Sequence, residues 1–169
     1  MGPVIPKEKT CCFTGHRPSK LPWRNNEQDP RCRELGNKLY DIAEALYESG
    51  IRHYICGMAQ GCDTYFAEVL IKLRDEYKDI TLEAALPCET QAMRWSEADR
   101  NRYYRLVSEF DYETMVSRQY TPSCMVDRNK YMVDSSSVLI AVFDGSFGGT
   151  MQTINYAKKS GLEIIELRP

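Results

Sequence analysis

Three times in this chain a strand-sized apolar run ends in a glycine-bearing turn. The runs are Cys11-Cys12-Phe13-Thr14-Gly15-His16-Arg17, Tyr54-Ile55-Cys56-Gly57-Met58-Ala59-Gln60-Gly61-Cys62-Asp63 and Ala141-Val142-Phe143-Asp144-Gly145-Ser146-Phe147-Gly148-Gly149-Thr150. Two of the turns lead straight into a helical period, and a strand that hands over to a helix pairs with the next such strand in parallel. In an open parallel sheet all strands end on one edge, so turns that follow different strands converge on one crevice. Glycine lets the backbone approach a ligand closely, and a helix that opens there aims free N–H groups and partial positive charge at an anion. The pattern therefore points to a phosphate-bearing ligand.

The rest of the chain supports the same architecture. Thr10 to Thr14 reads as a strand, followed by a polar, proline-containing segment from Pro18 to Pro30 that is long enough for a lid. Leu35, Leu39, Ile42, Ala43 and Leu46 recur at helical steps, and Gly50 ends that helix. Strand Ile51 to Cys56, a helix faced by Cys62, Phe66, Val69, Leu70 and Leu73, and strand Ile80 to Leu86 complete a βαβαβ half. Thr90 to Phe110 reads as helical, and Tyr112 to Val116 as a short strand. Met125, Asn129, Met132 and Val133 share a helical face ahead of the most apolar run, Val138 to Phe143. A helix from Thr150 to Lys159 and a strand from Leu162 to Leu167 close the chain. The expected fold is α/β, a Rossmann-like three-layer sandwich with a mainly parallel sheet, in a single domain over residues 1–169.

Composition narrows the function classes. A net charge of −2 offers no overall attraction to a polyanion, which argues against nucleic acid as a partner. The apolar runs are strand-sized, so no membrane association is expected, and Met1 to Thr10 holds no signal-peptide core. Seven cysteines, an odd number without C-x-x-C spacing, suit a reducing cytoplasm. Cys11 and Cys12 are neighbours on a strand and face opposite sides, and the only histidines are His16 and His53, so no metal site is expected. No motif requires a cofactor, and assembly into a homo-oligomer stays open.

Each candidate motif has two readings. Gly57-x-x-x-Gly61-x-Asp63 has neither the dinucleotide nor the P-loop spacing. Its backbone either contacts a phosphate or ribose, with Asp63 accepting from a sugar hydroxyl or ordering a cation, or is a plain turn whose acid complements the helix dipole. Gly148-Gly149-Thr150 is the best phosphate candidate, with Thr150 placed to cap the helix. Thr14, Gly15, His16 and Arg17 follow a strand at the edge where ligands sit; Arg17 suits a phosphate and His16 an acid or base role, with no local partner to tune it. Arg128 and Asn129 look either into the crevice or, for the amide, into the core. The stretch 94–105, with Trp95, Arg100, Arg102, Tyr103 and Tyr104, either stacks a base or anchors a solvated helix.

Taken in order, Thr14-Gly15-His16-Arg17, Gly57-Met58-Ala59-Gln60-Gly61-Cys62-Asp63, Pro87 with Trp95, Arg128-Asn129-x-x-Met132-Val133-Asp134 and Gly148-Gly149-Thr150 resemble the YpsA-like family. That family is a branch of the SLOG superfamily, named for the bacterial DNA-processing protein and the LOG phosphoribohydrolases. The resemblance covers about residues 8–168 and implies a Rossmann-like domain with a nucleotide-type pocket, for which NAD-derived or ADP-ribose-like molecules are the usual proposal. LOG enzymes carry P-G-G-x-G-T-x-x-E at the last turn. Here Gly145-Ser146-Phe147 stands for Pro-Gly-Gly, and Thr153 takes the place of the catalytic glutamate. A hydroxyl does not replace a carboxylate that activates water, so LOG-type hydrolysis is not expected.

The leading expectation is a binding or sensing module for a nucleotide-derived small molecule, held by Gly57, Gly61, Gly149 and Thr150 with Arg17 and Arg128. An enzyme cleaving an N-glycosidic or phosphate bond through Asp63 or His16 is the first alternative; its catalytic residues stay open. A single-stranded nucleic-acid binder using stretch 94–105 is the second.

Overall fold

The computed structural model describes residues 4–169; the first three residues of the expected domain lie outside them. The elements are β1 (Thr10–Gly15), α1 (Pro30–Glu48), β2 (His53–Cys56), α2 (Cys62–Glu76), β3 (Thr81–Leu86), α3 (Glu97–Glu109), β4 (Tyr112–Met115), α4 (Cys124–Asp134), β5 (Val138–Val142), α5 (Gly149–Lys159) and β6 (Glu163–Leu167). The strands form one six-stranded sheet in the order β4-β3-β2-β1-β5-β6. Every pairing is parallel. The expected α/β Rossmann-like architecture is therefore the observed one.

This strand order decides where a site can form. From β1 the chain steps outward through β2 and β3 to β4, then returns to the other side of β1 with β5 and β6. Right-handed crossovers send the first three connecting helices over one face of the sheet and the last two over the other. The core divides accordingly. One cluster joins Leu35, Leu39, Phe66, Leu70 and Leu106 to Phe13 and Tyr54, while a smaller one joins Met132, Val133, Ile154 and Ala157 to Cys12 and Leu139. Buried on both faces, β1 and β5 read as unbroken apolar runs rather than alternating ones. The chain reverses direction across the sheet between β1 and β5, and a crevice opens beyond their ends.

Local chemistry accounts for the frame. Asp29 accepts the Arg31 N–H at the start of α1, and Pro30 occupies the first position, where its missing N–H costs nothing. Phe13 and Phe66 stack at 4.4 Å between β1 and α2. The Tyr54 hydroxyl donates to the Ala43 carbonyl at 2.7 Å, so this buried phenol is satisfied.

Two sequence expectations change. Only the second half of Thr90 to Phe110 is helical: residues 89–94 form turns, and Ser96 caps α3 by accepting the Asp99 N–H. The segment from Pro18 to Pro30 borders the crevice but is not a free lid. Leu21 and Trp23 are buried in the core, Trp23 Nε1 lies 3.4 Å from the Tyr65 hydroxyl, and Glu27 holds Arg102 with two bonds of 2.7 and 2.9 Å.

A polar knot ties β2, β3, β4 and α4 away from the crevice. His53 Nε2 lies 2.6 Å from Glu83 Oε2, and Thr114 and Tyr131 both donate to Glu83 Oε1. Burial pushes the Glu83 carboxyl up, but the His53, Tyr131 and Thr114 bonds outweigh it and leave it below the usual carboxylate range. A depressed folded-state value contributes stability that is present above the unfolded-state value and lost as pH falls through the folded one. Glu83→Gln is expected to flatten the acid limb of the stability curve below about pH 5, read from urea midpoints between pH 7 and 3. An unchanged acid limb would show that Glu83 does not supply it.

Candidate functional site at the switch point

Beyond the ends of β1 and β5 lies a cavity of about 260 Å³. The end of β1 and the turn after it line it with Thr14, Gly15, His16 and Arg17, α2 adds Asp63, α4 adds Arg128 and Asn129, and α5 adds Gly149 and Thr150. Residues from four parts of the sequence are thus brought together. Gly15 is required for close packing as well: a Cβ there would stand 2.5 Å from Cys62 Cβ at the start of α2.

At the N-terminus of α5 the cap position is Gly148, with no side-chain cap bond. Thr150 is therefore not the cap that its sequence position suggested; it is the second residue of the helix, and its buried hydroxyl faces His16. The N–H groups of the first helical turn have no intrahelical partners. Lys20 donates to Ser146 Oγ at 3.1 Å and to the Phe147 carbonyl at 2.6 Å, clamping the approach loop. Gly148 fits against this clamp, since a Cβ there would lie 2.7 Å from Lys20 Nζ. Around Gly149 a Cβ would meet nothing within 4 Å.

His16, only 2% exposed, does have a partner. Its Nε2 lies 2.8 Å from Asp144 Oδ1, across a separation of 128 residues. The Ser146 hydroxyl and amide, and then His16, hold the Asp144 carboxyl well below the usual range. The sequence signal for this residue was faint: an acid two positions beyond β5, level with a histidine one position beyond β1.

On the opposite wall, α4 turns Arg128 inward rather than Asn129. Arg128 is 4% exposed; its Nη1 donates to the Gly57 carbonyl and lies 3.4 Å from the Ala85 carbonyl. Asn129 is half-buried, and its Oδ1 accepts from Arg128 Nε at 2.8 Å, so the amide serves the crevice and not the core. Burial lowers the Arg128 pKa, with Asp63 acting against the shift. Asp63 is buried too. Burial raises its carboxyl, while Arg128 and the Ala59 N–H, which Oδ2 accepts at 3.0 Å, pull it back.

Gly57 and Gly61, expected around phosphate, are closely packed by other segments. A Cβ on Gly57 would stand 2.8 Å from Arg128 Nη1, and one on Gly61 2.8 Å from the His16 carbonyl. Neither glycine lines the cavity at the switch point. The stretch 94–105 is also engaged internally. Arg102 pairs with Glu27 and Glu68, Arg100 donates to the Trp95 carbonyl, and Trp95 packs edge-on against Tyr103. Among the described residues no group of three or more His, Cys, Asp or Glu is placed to hold a metal ion. No helix among them is long and apolar enough to cross a membrane.

A family model described as the YspA SLOG family matches residues 11–163. The chain belongs to the YpsA family of SLOG proteins. It is 29% identical over 157 residues to the SPbeta prophage-derived protein YoqJ of Bacillus subtilis (strain 168), covering 84% of this chain and 92% of that protein. Its fold is similar to that of DNA processing protein A from Streptococcus pneumoniae, with a TM-score of 0.62 at 12% identity over 95% of this chain and 50% of the other. The Helicobacter pylori protein, whose structure is described for its single-stranded DNA binding mode, gives 0.62 at 13% identity over 95% and 65%. The chain spans about half to two thirds of those two proteins, and at these identities the likeness is one of fold.

Thr153 is buried, and its hydroxyl donates back to the Gly149 carbonyl at 2.9 Å. That bond supports the first turn of α5.

Proposed function

We infer that this YpsA-family protein binds a nucleotide-derived small molecule, NAD-derived or ADP-ribose-like, in the crevice between β1 and β5. The observation that carries this reading is the uncapped first turn of α5 opening on a cavity of about 260 Å³, which Arg17, Lys20 and Arg128 also line. Free N–H groups and cations suit a phosphate. Asp63, buried on the same wall, suits a donor such as a sugar hydroxyl rather than a second anion. The volume lies just below the usual range of small-molecule pockets, so one phosphate and its ribose fill it and the rest of the ligand lies over the rim.

Isothermal titration with ADP-ribose and NAD tests this. Thr150→Val is expected to weaken binding by about 1–3 kcal/mol, the cost of an unmade bond to a charged group, while Thr153→Ala changes it little. Absence of binding for both ligands and for ADP overturns the reading.

The fold-level neighbours favour a single-stranded nucleic acid as a second reading. Binding to an oligonucleotide that falls steeply with salt, with no competition from ADP-ribose, would support it. The internal engagement of Arg100 and Arg102 counts against stretch 94–105 as the surface involved.

A further inference from the structure

His16 stands between an acid and an alcohol inside the crevice. Nε2 is 2.8 Å from Asp144 Oδ1, and Nδ1 is 3.4 Å from Thr150 Oγ1. Nε2 also lies 3.1 Å from the Asp144 backbone N–H, but the closer, ionised carboxylate sets the tautomer: Nε2 carries the proton and donates to Oδ1, which leaves the Nδ1 lone pair facing the Thr150 hydroxyl. A carboxylate that orients an imidazole, whose other nitrogen faces a hydroxyl, is the arrangement that activates serine and threonine nucleophiles. His16 and Thr150 are both more than nine-tenths buried, so water competes little for the interaction. Thr150 also sits in the first turn of α5, where free N–H groups lie beside any negative charge that develops on the attacked group.

We propose that Asp144, His16 and Thr150 form a nucleophilic relay directed at a phosphate monoester held at the N-terminus of α5. The proposal rests on the reading that this crevice takes a phosphate. Thr150 Oγ forms a bond to phosphorus while the bond from phosphorus to the departing alcohol oxygen breaks. The Thr150 proton passes to His16 Nδ1 and from there to the departing oxygen. A water molecule, giving its proton to His16, then attacks the phosphothreonine; inorganic phosphate leaves, and the imidazolium returns a proton to Thr150 Oγ. The net change is one water consumed, with one alcohol and one phosphate formed. Asp144 positions the imidazole and stays ionised throughout.

A fluorophosphonate probe tests the relay without knowledge of the natural ester, because attack by Thr150 Oγ on its phosphorus expels fluoride and leaves a stable adduct. Intact-mass analysis and peptide mapping are expected to place one adduct on Thr150. Thr150→Ser, with a less hindered hydroxyl, should label faster. His16→Gln and Asp144→Asn should slow labelling by about a hundredfold or more while circular dichroism stays unchanged. No adduct in either the native protein or Thr150→Ser, with ADP-ribose still bound, overturns the relay and leaves the binding reading intact. Labelling that persists at the native rate in His16→Gln overturns it too. Labelling that needs His16 in a protein that binds no nucleotide supports the relay and overturns the nucleotide reading.

Discussion

Gly61→Ala is expected to destabilise the protein by about 2–5 kcal/mol and to abolish ligand binding. Gly61 has φ +84°, and a Cβ there would lie 2.8 Å from the His16 carbonyl, 2.9 Å from Pro18 Cδ and 3.0 Å from Arg17 Cα. With ψ at −125° this is backbone that an L-residue adopts only under strain, at a cost of about 1–2 kcal/mol, and overpacking against groups that cannot swing away adds about 1–3. What must move is the turn that presents His16 and Arg17, tied to α2 by the Cys62 N–H donating to the His16 carbonyl at 3.2 Å. Stability and site are thus damaged together. Gly36, in the middle of α1, is the control: a Cβ there meets nothing within 4 Å, so Gly36→Ala should stabilise by about 0.5–1 kcal/mol. Urea midpoints at one pH compare the two, and equal effects would show that the turn tolerates a side chain.

Arg128→Met should weaken ADP-ribose binding about ten- to a hundredfold and lower stability by about 1–3 kcal/mol. Methionine keeps much of the volume but no donor. The Gly57 carbonyl loses its bond from Nη1 and keeps only the long one from Gln91 Nε2 at 3.4 Å, and a poorly satisfied buried acceptor costs about that much. The cation also balances Asp63 on the same wall, so its loss leaves that buried carboxylate less compensated. Arg128→Lys should not rescue binding, since a single ammonium does not reproduce a planar fork that serves both the Gly57 carbonyl and Asn129 Oδ1. Titration of both variants reads the outcome. Native affinity in Arg128→Met would remove Arg128 from the site.

Much of the architecture was legible because its signals are local. The helical period through Leu35, Leu39 and Leu46, and the unbroken apolar runs of β1 and β5, reflect burial on one face or on both, which neighbouring residues reveal. Strand ends moved by a residue or two, as at Phe143, which lies just past β5 although its N–H still donates to the Leu167 carbonyl at 2.9 Å. The helical reading of residues 90–96 failed because Ala92 and Gln91 are buried in turns, and burial alone does not define a period.

By itself the sequence determined the order of the βα units, hence the parallel sheet and the one edge that Gly15, Gly57 and Gly149 share, since the crossover rule needs only the order of elements. Only the tertiary structure decided what each residue does at that edge. One residue along a helix is a rotation of about 100°, and packing of Met132 and Val133 against the sheet set the phase of α4 so that Arg128 faces inward and Asn129 flanks it. Gly57 and Gly61 are closely packed because a guanidinium and a carbonyl from distant segments fill the space above them. The pairing of His16 with Asp144 exists because β1 and β5 lie side by side, a neighbourhood that the intervening 128 residues conceal.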